Sequence, residues 1–193
     1  GADFWANSIF RRRMTPREII PAIVADRSAS LICLGLSSLD DATLDFDFAK
    51  VLEQSKDNPV FYVQYAHARI RSVLRKAAEA GIAADDATLA AADLSQLAHP
   101  AELGLARKIA EWPRVVEIAA KGQEPHRIAF FLYEIASDLH GLWNRGNEDT
   151  SLRFLQEGEV ATSQAKIALA RATGVVISNG LGILGVTPAE EMR

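Results

Sequence analysis

One cysteine, Cys33, stands in 193 residues. No internal disulfide can form, which suits a reducing compartment. The scarcity also excludes a cysteine-rich zinc site. The four histidines, His67, His99, His126 and His140, form no Cys/His cluster and no Glu-x-x-His pair, so no metal ligand is expected. The sequence has no Gly-rich phosphate loop, no Gly-x-Ser-x-Gly elbow and no paired carboxylates in a pocket motif, so no catalytic residue is expected either. The apolar run Ala29–Leu39 is too short and too polar to span a bilayer, and no secretory signal is visible. Alternating Val/Ile/Thr runs are missing. Only Asp45-Phe46-Asp47-Phe48 alternates, and four residues are too few to establish a strand. No long Pro/Gly/Ser linker divides the chain. A net charge of −4 argues against general adhesion to nucleic acid, so any RNA contact must be local and shaped.

What is present is helical. The composition is 49% hydrophobic and 24% charged, which suits one soluble domain with a sizeable core. The stretch from Asn58 to about Ala80 organises the chain. Asn58 can cap the free N–H groups, Pro59 fits the first helical position, and Gly81 can close the end. Val63, Ala66, Ile70, Val73 and Ala77 recur at helical period and predict the core stripe. Tyr62, Tyr65, Arg69, Ser72 and Lys76 form a ridge one residue behind it. Arg71 and Arg75 fall on the far side, and Gln64 and His67 read as possible surface positions. The helix carries Arg69, Arg71, Arg75 and Lys76 against Glu79 alone. Two tyrosines at the start of a basic ridge offer flat faces for bases; the plainer alternative is a solvated face with tyrosines packing at its edge.

Before this helix, Thr15-Pro16-Arg17-Glu18 reads as a capping box with Pro at the first position. Pro21 then kinks or ends that helix. A second helix is expected over Asp26–Ser37, and a short one from Asp47 through Gln54. Arg11-Arg12-Arg13 can meet phosphate or simply be solvated. After Gly81, Ile82–Thr88 reads as a polar connection and Asp93-Leu94 as a short helical turn. His99-Pro100 opens a helix, with His99 as a cap rather than an acid, and Leu103, Leu105, Ala106, Ile109 and Ala110 as its apolar face. Trp112-Pro113 bends or restarts it, and it stops at Gly122. Pro125 starts a long helix to about Arg145-Gly146. Its core stripe is Ile128, Phe131, Leu132, Ile135, Leu139 and Leu142, with Tyr133, Ser137, His140 and Asn144 on a neighbouring ridge; Tyr133 is assigned to the core. Residues 146–157 read as a loop. The last helix is expected from Glu159 to Ser178, ended by Asn179-Gly180, with Leu181–Val186 packed on the bundle and 187–193 as a tail of the kind commonly disordered. The pattern is an all-α, antiparallel helical bundle.

Asn58-Pro59-Val60-Phe61-Tyr62-Val63-Gln64-Tyr65-Ala66-His67-Ala68-Arg69 resembles the stretch that opens the C-terminal anticodon-binding (DALR-type) domain of bacterial arginyl-tRNA synthetases, class I enzymes. Leu44–Lys50, His99–Leu103, Glu111–Val116, Glu124–Glu134 and Ile183–Val186 are similar to the same family, in the same order. The resemblance covers about residues 44–193, leaving 1–43 as a weakly matching N-terminal helical segment. It implies a tRNA-binding helical bundle, with the anticodon stem-loop of arginine tRNA and the catalytic domain of the same enzyme as partners. It further implies a cytoplasmic location and neither a membrane nor a DNA partner. The His-x-Gly-His and Lys-Met-Ser-Lys-Ser signatures of the ATP site are missing, so the chain alone is expected to be inactive. No cofactor is expected in it; ATP and Mg would belong to the full-length enzyme.

The resemblance also implies RNA-binding residues. Tyr62 and Tyr65 are expected at loop bases and Arg69 and Lys76 at phosphates. His140, Trp143, Asn144 and Met192 are expected around the anticodon pocket. Two alternatives remain open at this stage: a free-standing RNA- or protein-binding module derived from that domain, and a helical scaffold whose ridge is inert. The chain opens Gly1-Ala2 rather than with Met, which points to an expression product or a piece of a longer protein.

Overall fold

Proline marks where three of the described helices begin. In the computed structural model, which describes residues 58–192, helix α1 spans Pro59–Glu79, α2 Asp86–Ala90, α3 Pro100–Ala110, α4 Trp112–Gly122, α5 His126–Glu148 and α6 Val160–Ile183. Short 3-10 turns occupy Leu94–Gln96 and Thr150–Leu152, and no strand occurs among the described residues. Pro59, Pro100 and Pro113 sit in the first turns of α1, α3 and α4, where a missing N–H costs no hydrogen bond. The expectations for Arg11–Arg13, Thr15–Glu18, Asp26–Ser37, Asp47–Gln54 and the 43/44 boundary lie outside the described residues.

The caps agree with the sequence reading. The Asn58 side chain accepts from Val60 N and Phe61 N at 3.0 and 3.3 Å, and Gly81 takes φ +71° beyond the last turn of α1. His99 accepts from Ala101 N through Nδ1 at 3.1 Å, while Glu102 reaches back to His99 N at 3.1 Å. That capping box confirms His99 as a cap.

Three boundaries differ. Helix α2 starts inside the expected 82–88 connection, because Asp85 caps it through Thr88 N and Oγ1. Helix α4 stops at Gly122 as expected, with Gln123 left-handed beyond it, whereas α5 runs on to Glu148, past the expected Arg145-Gly146. Helix α6 runs through Asn179-Gly180 to Ile183. Gly180 is there for packing: a Cβ on it would meet Leu132 Cδ2 at 2.6 Å. A helix interior pressed against a buried leucine has no reason to stop at a glycine.

Helices α1, α5 and α6 form the centre. Val63, Ala66, Ile70, Val73 and Ala77 of α1 are all buried, as is the expected α5 stripe. Ile177, Leu181 and Leu184 complete the core. On α3, however, Ala110 is exposed and Leu105 is the buried apolar residue. Helix α6 runs antiparallel to α1, with Gly174 against Ile70 and Gln164 Nε2 bonded to Ala83 O at 3.3 Å. Its Gly180 meets Leu132 of α5.

Helices α1 and α5, which are not successive, run side by side in the same direction. Tyr62 meets Tyr133, and Arg69 meets His140, each pair separated by 71 positions. Seven residues are nearly two helical turns, so parallel neighbours in this register face each other at every second turn.

Among the described residues, one ion pair is buried. Lys166 Nζ on α6 lies 2.5 Å from Glu102 Oε1 on α3 and 2.8 Å from Ser151 O, with side chains 5% and 3% exposed. It ties the start of α3 and the Thr150–Leu152 turn to α6. Removing one partner strands the other charge. Glu102→Ala should therefore cost about 3–5 kcal/mol in urea denaturation, and Glu102→Ala/Lys166→Met should recover most of it. Gly180→Ala should destabilise by about 1–3 kcal/mol through overpacking. Gly182→Ala, whose Cβ meets nothing within 4 Å, should be neutral or stabilising by up to about 1 kcal/mol.

Candidate nucleic-acid interface

The ridge of α1 and the ridge of α5 meet edge to edge because of the shared direction of the two helices. Tyr62 packs half-buried against Tyr133 (centroids 5.1 Å) and His140 (4.5 Å). Tyr65, 37% exposed, stacks on His140 at 5.5 Å and 30°. Arg69 Nη1 reaches His140 Nδ1 at 2.9 Å, and Nη2 donates to Tyr65 Oη at 3.2 Å. The Arg69 guanidinium lies over two rings, 4.4 Å from the Tyr65 centroid and 5.0 Å from that of Trp143. Such placement adds about 0.5–1 kcal/mol at exposed sites.

Arg69 has no acceptor, so His140 Nδ1 must be the lone-pair nitrogen. Nε2 then carries the proton and donates to Tyr62 O at 3.3 Å. Burial, ahead of the nearby Arg69 charge, holds the imidazole below its ordinary pKa of 6.5; the bond to Tyr62 O opposes this. His140 is thus a neutral brace between the ridges.

Two clefts flank Trp143. The larger, about 420 Å³, is lined by Tyr65, Ala68, Arg69, Ser72, Arg75, Trp143, Glu191 and Met192. The smaller, about 200 Å³, includes Lys76, Trp143, Asn147, Arg153 and Phe154.

The tail forms one wall of the larger cleft. Gln64 Nε2 donates to Thr187 O at 2.7 Å and Gln64 Oε1 accepts from Ala189 N, so one side-chain amide pairs with the tail as a backbone would. Buried His67 Nδ1 donates to Ala189 O at 2.7 Å. Arg71 bonds the Glu190 carboxylate; Arg75 donates to Glu190 O at 3.3 Å and lies 3.6 Å from Glu191 Oε1.

The eight residues expected at an RNA site therefore divide. Tyr65, Arg69, Trp143 and Met192 line one cleft. His140 and Tyr62 brace it from behind. Lys76 lines the neighbouring cleft, and Asn144, although exposed, lines neither. Tyr133, expected in the core, is 42% exposed and joins the aromatic row. Gln64 and His67 hold the tail rather than facing solvent. Tail contacts more than 100 positions away leave no periodic trace in a sequence; the one available signal was a Gln and a His three apart on an otherwise core-facing turn.

A family model described as the DALR anticodon binding domain matches residues 63–192. The chain belongs to this family. It is 73% identical over 158 residues to a Paracoccus denitrificans protein named Arginine--tRNA ligase, covering 82% of this chain and 27% of that relative. It is 65% identical over 180 residues to the protein of the same name from Cereibacter sphaeroides strain KD131, covering 93% and 30%. The chain thus spans under a third of the length of the relatives it matches.

Among solved structures, a Campylobacter jejuni protein described as an arginyl tRNA synthetase superposes with TM-score 0.68 at 24% identity. That superposition covers 89% of this chain and 35% of the other. Thermus thermophilus arginyl-tRNA synthetase gives 0.59 at 23% identity, over 91% and 32%. At these identities the structures speak for the fold. The all-α bundle expected from the sequence is the fold observed.

A neutral His140 brace predicts a pH-dependent stability. As pH falls below about 6.5 the unfolded His140 gains a proton that the folded one refuses, so the unfolded state binds more protons and stability drops. The loss levels off below the folded pKa. Thermal midpoints of the wild type should therefore fall between pH 6.5 and 5 more steeply than those of His140→Gln; parallel curves would exclude the neutral brace.

Proposed function

We propose that this DALR domain is the tRNA-binding part of an arginine–tRNA ligase and reads the anticodon stem-loop of arginine tRNA. In doing so it positions that tRNA for aminoacylation by a catalytic domain whose ATP-site motifs this sequence does not carry. Family membership and the names of the larger relatives support this reading. The observation that carries it is the cleft between Tyr65, Arg69, Trp143 and Met192, within the roughly 300–1,000 Å³ range of small-ligand sites.

Proteins read single-stranded RNA by splaying bases onto aromatic or guanidinium faces and bonding their edges. Tyr65 and Trp143 supply flat rings, Arg69 a guanidinium plane, and Met192 an adaptable apolar contact. Lys76 stands about two turns along the same ridge from Arg69 and suits a phosphate. His140 and Tyr62 set the height and tilt of Tyr65 and Arg69. Asn144 remains available at the open end of the ridge.

ATP and Mg would be held outside this chain. Among the described residues no group of three or more His, Cys, Asp or Glu side chains is placed to hold a metal ion, and the sequence has no phosphate loop. No described helix is long and apolar enough to cross a membrane; the setting we propose is the cytoplasm, beside the translation machinery.

The test is binding of the 193-residue chain to a labelled arginine-tRNA anticodon stem-loop at near-physiological salt, beside a loop with a changed anticodon. The cognate loop should bind more tightly. Tyr65→Ala should remove about 1–3 kcal/mol of that binding, the worth of one stacked base. Tyr62→Ala should act more through stability, since its ring is packed between Tyr133 and His140. Equal binding of both loops by a well-folded chain would refute anticodon reading at this cleft.

A further inference from the structure

Helix α1 carries two sets of side chains on adjacent faces. One set, Tyr65, Arg69 and Lys76, borders the clefts. The other, Gln64, His67, Arg71 and Arg75, is engaged by the tail at 187–191, and Arg75 also stands on the rim of the larger cleft. We propose that the tail is a specificity latch. Gln64 and His67 seat its backbone, and Glu190 and Glu191 occupy Arg71 and Arg75. RNA then meets the base-reading cleft instead of the full cationic face of α1. This rests on the anticodon reading proposed above and adds how that site rejects other RNA.

Three observations carry the inference. First, the seating is directional and polar. Gln64 uses both its donor and its acceptor on tail backbone two residues apart, at Thr187 O and Ala189 N, and His67 donates to the carbonyl of the same Ala189. Only one register of the tail satisfies all three bonds, and that register brings Met192 to the cleft. Second, two of the four cations that make α1 basic are paired with the tail carboxylates, so Arg75 lines the larger cleft beside Glu191 as a neutralised pair, while Arg69 and Lys76 line the clefts with no carboxylate partner among the described residues. Third, the two sets share a rigid helix, so the tail cannot leave without removing a cleft wall and baring two arginines in the same event.

Charge neutralisation gives RNA affinity without sequence preference. A seated tail therefore lowers general affinity while completing the shape that discriminates bases. Reciprocity follows: whatever favours the seated tail favours the cognate loop, and the cognate loop must favour the seated tail. Gln64 and His67 are positioning residues in this scheme, acting on RNA through the tail.

The experiment compares the wild-type chain with Glu190→Gln/Glu191→Gln, Gln64→Ala/His67→Ala and a chain ending at Val186. Hydrogen exchange is read at the Ala189 amide, and binding is read on the cognate and changed stem-loops across a salt series. The glutamate pair is exposed, so its replacement spares the core. The Gln64/His67 variant should exchange Ala189 N–H at least about tenfold faster, and cognate loop should slow that exchange in the wild type. All three variants should lose preference. In the glutamate variant and the truncated chain, binding of the changed loop should strengthen at low salt. There the salt slope should steepen by up to about 1.4, from two freed arginines at about 0.7 each on single strands. A freed tail with preference and salt slope unchanged overturns the latch. A latched wild type without any preference overturns the anticodon reading, and the latch with it.

Discussion

The guanidinium of Arg69 has donors and no acceptor, so the imidazole it meets has to present a lone pair. That requirement fixes the His140 tautomer and sends its remaining N–H to Tyr62 O. Arg69 is thereby held flat over Tyr65 and Trp143. The bond also ties α1 to α5 in one register. Tyr62 opposite Tyr133 is the same step repeated two turns earlier. The core stripes of the two helices turn inward for hydrophobic reasons, but a hydrophobic contact alone is tolerant of sliding. A donor that must find a specific nitrogen is not.

This division of labour explains why the site needs no loop of its own. Stacking faces, the cation and the brace all stand on long helices whose other sides are buried. A site built this way is held to the precision of the core beneath it. The tail is the exception. It is irregular chain fixed by side-chain amides and ion pairs, and it completes the cleft from outside.

Local chemistry was legible in the sequence. Asn58-Pro59, His99-Pro100-Ala101-Glu102 and the stripe from Val63 to Ala77 each act within a few residues, so their signals are contiguous. Asn179-Gly180 misled because a glycine that ends a helix and a glycine that lets Leu132 approach look the same in one dimension. Tyr133 misled for the reverse reason, since its partner Tyr62 lies far away in sequence and their contact leaves Tyr133 itself 42% exposed. The parallel pairing of α1 with α5 was not visible at all, because nothing in either helix states which way its neighbour runs. The ridge with Tyr65 and Arg69 was read from helical spacing, and Trp143 and Met192 were expected from family resemblance; their convergence on one cleft came from packing.

Trp143 stands between the two clefts and lines both. An indole has two torsions and a rigid plane, so it cannot yield to one side without encroaching on the other. Space gained on the Tyr65 side is taken from the Lys76 side. The two hollows share that one wall, so any tilt of the ring that widened one would narrow the other.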